Sequence, residues 1–270
     1  MRAAVLGRPI AHSLSPLLHR AAYAALGLTE WTYDALDIGA EELPDLIAGL
    51  GPEWAGFSVT MPCKRAAVEV ADVVEALPRM LHAANTLVRI DGGWRAENTD
   101  VVGIGMALQV AEVETVPRAA ILGAGGTAAA AAVALASLGA EHIEIVVREP
   151  ARAVALVGLL EGLGVATTVS GFGTSAVDAS LVVSTVPAAG QPAAAQLPWR
   201  GDHTVLDVLY DPWPTPLAGR VRAAGGTVLA GSEVLFWQAT VQVELMTGRA
   251  APLDAMRRAL AAALDRPRTS

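Results

Sequence analysis

Three residues that are rare in this chain stand in contexts that suit substrate chemistry. Among 270 residues there is one lysine, Lys64, against 18 arginines, and there are only two asparagines, Asn85 and Asn98. Arginine stays protonated in proteins, whereas a partly desolvated lysine can transfer a proton near neutral pH. Asparagine carries a donor and an acceptor, which suits substrate hydroxyl groups. We therefore interpret Lys64 as a candidate general acid/base and the asparagines as candidate binding residues.

Plain structural interpretations of these residues stay open. Lys64 could be an ordinary surface lysine, and an asparagine followed by threonine could be a turn residue. Asp100 follows the second Asn-Thr pair, and a carboxylate beside an ammonium would form a couple able to handle a hydroxyl proton. The coincidence of all three rare residues with motif-like contexts favours the chemical interpretation.

Ser13 and Ser15 stand two residues apart at the entrance to an expected helix. Neutral hydroxyl donors beside the positive end of a helix dipole suit a carboxylate ligand. A plain helix N-cap would use the same residue type, so the spacing alone leaves both interpretations open.

A glycine-rich turn follows an apolar strand and opens a helix. Its residues are Gly123, Ala124, Gly125, Gly126 and Thr127. With Ala128 they match G-x-G-x-x-A, a form of the dinucleotide-binding fingerprint. Gly123 permits the tight turn, Gly125 lets the backbone approach a pyrophosphate, and the helix N-terminus favours its charge. A glycine-rich turn in some other α/β fold is the alternative.

The end of the next strand bears on the choice between NADP and NAD. Arg148 and Arg152 could form a clamp on a 2′-phosphate, which favours NADP. Glu149 could instead repel that phosphate or bind the ribose hydroxyls of NAD. Both arginines could also be ordinary solvated residues at a helix start.

The elements that must position these residues form two α/β units. The first has expected strands at 2–6, 31–37 and 55–60, helices at 16–26, 41–50 and 64–77, and a hairpin at 85–90 and 94–97. The second has strands at 119–122, 142–147, 165–169, 180–185, 204–208 and 227–230, with helices at 126–138, 151–162 and 215–224. Helix 101–110 marks the boundary, and helices 232–247 and 252–264 end the chain. In the second unit, the alternation of strands and helices predicts a parallel sheet with crossover connections.

Composition excludes several classes of protein. With 53% hydrophobic and 17% charged residues, the chain can bury real cores and is not disordered. A net charge of −8 argues against a nucleic-acid partner. The single cysteine, Cys63, excludes a disulfide framework and a cysteine-based zinc site, and we expect no metal.

Neither secretion nor a membrane span is expected. Residues 1–16 lack the unbroken apolar run of a signal peptide, so we expect a cytoplasmic protein. Residues 119–140 carry no charge over a length that could span a membrane. The glycines within 123–126 favour a strand, a tight turn and a buried helix there instead.

Taken together, the motifs resemble those of the shikimate dehydrogenase family. They lie at 7–16, 58–64, 84–86, 98–100, 123–126, 207–217 and 231–238. The resemblance implies two α/β domains: a substrate-binding domain of residues 1–102 plus 239–270, and a Rossmann-type NADP-binding domain of residues 103–238. The C-terminal helices would return to the first domain. The implied reaction interconverts 3-dehydroshikimate and shikimate with NADP(H).

The resemblance also implies roles for individual residues. Lys64 would be the catalytic acid/base, coupled to Asp100. Ser13 and Ser15 would hold the substrate carboxylate. The ring hydroxyls would be bound by Thr60, Asn85, Asp100 and Gln238, with Tyr210 nearby. The cofactor would be lined by Gly123 to Thr127, residues 147–152, Val208 and Gly231.

The chain departs from the family pattern at a few positions. The family commonly has Asn where this chain has Ser58, Val147 and Ser184, and often Met where it has Val234. Val147 and Glu149 weaken the prediction that the cofactor is NADP more than they weaken the prediction of the substrate. The alternatives are an NAD-dependent quinate/shikimate dehydrogenase and a non-catalytic NADP-binding regulator. We expect a small-molecule substrate as partner and a monomer or homodimer.

Overall fold

Strands and α-helices alternate along residues 1–265, the part of the chain that the computed structural model describes. The strands are β1 (Arg2–Gly7), β2 (Thr32–Asp37), β3 (Trp54–Val59), β4 (Val73–Val74), β5 (Thr86–Ile90), β6 (Gly93–Glu97), β7 (Arg118–Leu122), β8 (His142–Val147), β9 (Ala166–Gly171), β10 (Leu181–Ser184), β11 (Thr204–Asp207) and β12 (Thr227–Ala230). The helices are α1 (Ser15–Ala25), α2 (Leu43–Ala48), α3 (Lys64–Glu69), α4 (Ala76–Leu81), α5 (Asp100–Val110), α6 (Gly126–Ser137), α7 (Val154–Gly162), α8 (Gln191–Ala194), α9 (Pro216–Ala223), α10 (Gly231–Thr247) and α11 (Leu253–Leu264).

The chain divides into two units by its internal contacts. Unit 1 comprises Met1–Thr99 and the chain from Leu235 onward, and unit 2 comprises Asp100–Val234. Helix α11 packs against α1, so the C-terminal helices belong to the same unit as the N-terminal strands. The expected α/β class, with C-terminal helices that return to the first unit, is confirmed.

Unit 1 contains a mixed six-stranded sheet in the order β2-β1-β3-β5-β6-β4. Strand β3 is buried along its whole length, as befits a strand in the middle of a sheet covered on both faces. Phe57 on this strand lies between Trp54 and Trp94, with ring centroids 4.9 and 5.3 Å away. This aromatic core supports the strand whose carboxyl end leads to Lys64.

Unit 2 contains six parallel strands in the order β12-β11-β10-β7-β8-β9. Counted from β7, this is the doubly wound order 3-2-1-4-5-6, which reverses between β7 and β10. Ligands of such sheets bind outside the carboxyl ends of the strands at that reversal. The glycine-rich turn after β7 lies at this place.

One predicted element is wrong in its extent. The helix expected at 64–77 ends at Glu69 as α3, and the chain then forms β4 and α4. Asp72 explains the break, since its N–H donates to the Trp94 carbonyl at 2.9 Å and its carboxylate accepts the Trp94 N–H at 2.8 Å. Pairing with β6 therefore makes this segment a strand of the sheet, although its apolar periodicity favours a longer helix.

The uncharged segment at 119–140 forms β7, the glycine-rich turn and α6. Within residues 1–265, no helix combines the length and the apolar character needed to cross a membrane.

Candidate active site

Lys64 is the first residue of α3 and is half-buried. Its backbone carbonyl accepts a hydrogen bond from the N–H of Ala84 at 2.8 Å. The segment that leads into α3 is also fixed, because the Thr60 N–H donates to the Leu6 carbonyl at 2.8 Å. The turn between β3 and α3 is thus held by β1 at Thr60 and by the segment before β5 at Lys64.

Asn85, directly before β5, is 2% exposed and makes several hydrogen bonds. Its Oδ1 accepts from the Thr99 N–H at 2.7 Å and from the Thr86 hydroxyl at 2.9 Å. Its Nδ2 donates to Thr99 Oγ1 at 2.9 Å and to Gln238 Oε1 at 3.3 Å. The structure therefore joins two predicted site residues, Asn85 and Gln238, that lie 153 positions apart in the chain.

Sequence reasoning missed Gln242, which lies one helical turn after Gln238 on α10. Gln242 is 1% exposed, and its Nε2 donates to the Asn85 carbonyl at 3.1 Å. Its Oε1 accepts from the Ser58 hydroxyl at 2.6 Å. The i, i+4 spacing of the two glutamines, which places both on one face of the helix, was the available signal.

His19 lies behind this network and is fully buried. Its ring stacks on Tyr33 with centroids 4.0 Å apart, and its Nε2 is 3.4 Å from Gln242 Oε1. Burial lowers the pKa of His19 to about 3. The imidazole is therefore neutral near pH 7, and because an amide oxygen only accepts, we assign the proton to Nε2.

Ser13 and Ser15 lie at the start of α1 but do not act as its N-cap. The N-cap residue is Leu14, and no side chain caps the helix there. Ser15 is 5% exposed, and its N–H donates to Ser13 Oγ at 3.3 Å. The N-cap interpretation is thus wrong, and the carboxylate-binding interpretation stays a prediction.

The glycine-rich turn in unit 2 has the backbone geometry that its sequence predicts. Gly123 has φ = +107°, which an L side chain rarely adopts, and a Cβ there would lie 2.5 Å from Thr185 Oγ1. Thr185 itself donates to the Leu122 carbonyl at 2.9 Å. A Cβ at Gly125 would meet no atom within 4 Å, so the backbone before the twelve-residue helix α6 is open to a ligand. Ala124, Gly126 and Thr127 complete this turn.

A second close approach in unit 2 brings Gly231 against Val208. A Cβ on Gly231 would overlap the backbone carbonyl of Val208. The turn after β11 is held by Asp207, whose carboxylate accepts from the Thr215 hydroxyl at 2.7 Å and from the Leu209 N–H at 3.4 Å. Burial raises the pKa of Asp207. Half-buried Tyr210 lies in the same turn.

Arg148, Glu149 and Arg152 are all exposed after the carboxyl end of β8. The Arg152 N–H donates to the Glu149 carbonyl at 3.0 Å, within a short 3-10 turn that precedes α7. Their exposure is compatible with a phosphate clamp and also with plain solvation, so the clamp stays a prediction.

Asp100 is the first residue of α5 and is 7% exposed. It follows directly after Thr99, whose N–H is bonded to Asn85. Asp100 belongs to unit 2 and Lys64 to unit 1, and the predicted couple between them stays a prediction.

Two family models match parts of the chain. The model described as "Shikimate dehydrogenase substrate binding domain" matches residues 5–87. The model described as "Shikimate 5'-dehydrogenase C-terminal domain" matches residues 231–261.

Similarity to known proteins extends over nearly the whole chain. Shikimate dehydrogenase (NADP(+)) of Moorella thermoacetica is 35% identical, over 97% of this chain and 92% of that protein. The crystal structure of Mycobacterium tuberculosis shikimate dehydrogenase superposes with a TM-score of 0.87 at 48% identity, over 97% of this chain and 99% of that chain. Shikimate 5-dehydrogenase of Thermus thermophilus, solved with NADP(H) and shikimate, has a TM-score of 0.84 at 31% identity, over 97% of this chain and 99% of that chain.

Proposed function

The chain belongs to the shikimate dehydrogenase family, and we propose that it catalyses the reversible NADPH-dependent reduction of 3-dehydroshikimate to shikimate. Within the chain itself, the observation that carries this function is the junction of α3, β5 and α10. There the main chain of Lys64 is anchored beside Asn85, and Asn85 is bonded to Gln238. A proton donor beside paired amides suits a ketone flanked by hydroxyl groups.

The reaction adds two hydrogens to the C3 carbonyl group. NADPH, when bound, supplies a hydride to the carbonyl carbon. Lys64 gives the accompanying proton to the carbonyl oxygen, so the ketone becomes a secondary alcohol and the lysine becomes neutral. In the oxidative direction neutral Lys64 takes the hydroxyl proton. Asp100 orients and holds Lys64.

The remaining substrate contacts are those that the resemblance to the family implies. Ser13 and Ser15 bind the carboxylate through neutral hydroxyl donors at the start of α1, where the helix dipole favours negative charge. The ring hydroxyls are bound by Thr60, Asn85, Asp100 and Gln238, with Tyr210 nearby. The rigid hydrogen bonding of Asn85 supports its place in this set, since a preorganised amide loses little entropy on binding.

The residues of unit 2 fit a dinucleotide. The pyrophosphate would be held at the turn formed by Gly123, Ala124, Gly125, Gly126 and Thr127. The backbone is open at Gly125, directly before the amino end of α6, where the helix dipole favours negative charge. Val208 and Gly231 would line the cofactor site. Arg148 and Arg152 would bind the 2′-phosphate that distinguishes NADP from NAD.

The proposal includes the domain roles and the cellular setting. Residues 1–102 plus 239–270 form the substrate-binding domain, and residues 103–238 form the NADP-binding domain. The enzyme is cytoplasmic, acts as a monomer or homodimer, and supplies shikimate for chorismate and aromatic amino acid biosynthesis.

A second candidate is an NAD-dependent quinate/shikimate dehydrogenase, which Glu149 at the end of β8 favours. Steady-state rates with shikimate and quinate, each with NADP⁺ and NAD⁺, separate the two. The proposal predicts the highest kcat/KM for shikimate with NADP⁺. Preference for quinate with NAD⁺ would overturn it in favour of the second candidate. Tight NADPH binding without turnover of either acid would instead indicate a non-catalytic regulator.

A further inference from the structure

We propose that Gln242 is a positioning residue for substrate recognition: it holds Asn85 in the orientation that binds the ring hydroxyls. The inference rests on the proposed function, because it is through Asn85 that Gln242 acts on the substrate. Gln242 does not itself contact the substrate in the proposed mechanism.

Helix α10 holds Asn85 at two points. Gln238 accepts a hydrogen bond from the side-chain amide of Asn85 at 3.3 Å. Gln242, one turn further along the same face, donates to the backbone carbonyl of Asn85 at 3.1 Å. A contact at the carbonyl and a contact at the side chain together fix the position and the rotation of this residue relative to α10.

A second path from Gln242 reaches the Asn85 side chain through Thr86. Gln242 Nε2 donates to Thr86 Oγ1 at 2.9 Å, and the Thr86 hydroxyl donates in turn to Asn85 Oδ1 at 2.9 Å. The direction of these bonds requires that Oδ1, not Nδ2, face Thr86. The path therefore selects one of the two amide orientations of Asn85.

The orientation of the Gln242 amide is itself fixed from the other side. The Tyr33 hydroxyl donates to Ser58 Oγ at 2.5 Å, and the Ser58 hydroxyl donates to Gln242 Oε1 at 2.6 Å. With Oε1 facing Ser58, Nε2 must face Asn85. The hydrogen bonds thus run in one direction from Tyr33 through Ser58 and Gln242 to the residue before β5.

Because this network is buried, the loss of any one of its hydrogen bonds is costly. Tyr33, Ser58, Asn85, Thr86 and Gln242 are each at most 4% exposed. In a buried site, a polar group that loses its partner is not compensated by water, and networks of this kind specify one arrangement of side chains. Substitution of Gln242 therefore removes the hydrogen bond to the Thr86 hydroxyl and one of the two to the Asn85 carbonyl, which keeps its bond from the Val59 N–H at 2.7 Å.

The test uses Gln242→Met, which keeps the length of the side chain and removes its hydrogen bonds. We expect the KM for shikimate to rise about tenfold, the order expected for one lost buried hydrogen bond. The KM for NADP⁺ is expected to stay within about twofold, since Gln242 acts on the substrate side alone. A purely structural role would lower the amount of active enzyme and hence the apparent kcat, and would leave the KM for shikimate unchanged.

Thr240→Val is the matched control. Thr240 lies on the same helix, is 6% exposed, and donates to the Trp237 carbonyl within the helix. Both KM values of this variant are expected to match those of the parent enzyme. An equal rise of the KM for shikimate in Thr240→Val and Gln242→Met would contradict a specific role for Gln242.

Two further variants keep the inference falsifiable if Gln242→Met folds poorly. Ser58→Ala removes the hydroxyl that orients Gln242, and it should raise the KM for shikimate in the same direction by a smaller factor. In an Asn85→Ala background, Gln242→Met should cause no further rise, because the residue through which it acts is gone. Fully multiplicative effects in the double variant would overturn the inference.

The failure of this inference is distinguishable from the failure of the proposed function. Absence of shikimate oxidation by the parent enzyme would refute the proposed function. An active parent enzyme, together with an unchanged KM for shikimate in both Gln242→Met and Ser58→Ala, would refute the role of Gln242 alone.

Discussion

The carbonyl oxygen of Lys64 accepts a hydrogen bond from the N–H of Ala84 at 2.8 Å, which ties the start of α3 to the entrance of β5. The next residue is Asn85, whose side chain is bonded to Gln238 on α10. The main chain that carries the proposed acid/base is therefore tied to the segment that carries Asn85, one of the proposed hydroxyl-binding residues. A site built on regular elements is held more precisely than one built on a free loop.

The close approach of Gly231 to Val208 predicts an effect on stability. Gly231→Ala places a methyl group against the Val208 carbonyl, and the backbone must shift to relieve the overlap. We expect the free energy of unfolding to fall by about 1–3 kcal/mol. The KM for NADP⁺ should also rise, because Val208 and Gly231 line the proposed cofactor site. Urea unfolding and steady-state kinetics check both effects.

Gly219→Ala is the control for that substitution and should have the opposite effect on stability. Gly219 lies exposed in α9, and a Cβ there would meet no atom within 4 Å. Alanine restricts the unfolded chain and favours the helix, so stability should rise by about 0.5–1 kcal/mol. A loss of stability in Gly219→Ala equal to that in Gly231→Ala would contradict the steric explanation.

Burial of His19 predicts a loss of stability in acid. Its pKa falls to about 3 in the folded protein from an ordinary value of 6.5, so below pH 6.5 the unfolded chain binds a proton that the folded chain does not. The stability contributed by the neutral imidazole is present above pH 6.5 and is lost as the pH falls toward 3. From pH 7 to pH 5 the parent protein should lose about 2 kcal/mol more than His19→Phe.

Urea unfolding at the two pH values measures this difference, and His82→Asn provides its control. His82 is exposed at the end of α4 with φ = +48°, a conformation that asparagine tolerates. This variant should lose as much stability in acid as the parent protein does. The account of His19 is wrong if His19→Phe shows the same acid sensitivity as the other two proteins.

The exposed pair after β8 predicts the cofactor preference. Replacement of Arg148 and Arg152 by alanine removes charge-assisted bonds to a 2′-phosphate, so the KM for NADP⁺ should rise roughly 10–100-fold. The KM for NAD⁺ should stay nearly constant, because NAD⁺ lacks that phosphate. Arg118→Ala, at the exposed amino end of β7, serves as the control. Equal losses with both cofactors would contradict the clamp.

Motifs and periodicity predicted both α/β units, the hairpin of β5 and β6, and the glycine-rich turn. Local chemistry determines these features: Gly123 needs its positive φ, and Gly92, at φ = +85°, turns the hairpin. The break after α3 was not predictable in this way, because it depends on the bonds between Asp72 and Trp94, which lie 22 positions apart.

The candidate site, too, was predictable from the sequence only in part. The rarity of Lys64 and Asn85 drew attention to them, and the family motifs supplied Gln238. The role of Gln242 depends on Ser58, which lies 184 positions away in the chain. Only the fold brings the hydroxyl of one to the amide of the other, so residue type and spacing could not reveal the network.

The central claim is that Lys64 transfers the proton, and Lys64→Arg tests it most directly. Arginine keeps the positive charge and stays protonated, so it cannot exchange a proton with the substrate oxygen. The control is Arg65→Lys, at the exposed neighbouring position that pairs with Glu69 at 3.3 Å. Both variants should unfold at the same urea concentration as the parent protein.

The decisive measurement is kcat for shikimate oxidation with saturating NADP⁺ in the two variants. The account predicts that Lys64→Arg lowers kcat by at least about 100-fold, the contribution expected of a positioned proton-transfer group. It also predicts that Arg65→Lys retains the kcat of the parent enzyme. A kcat for folded Lys64→Arg within a few-fold of the parent value would contradict the account.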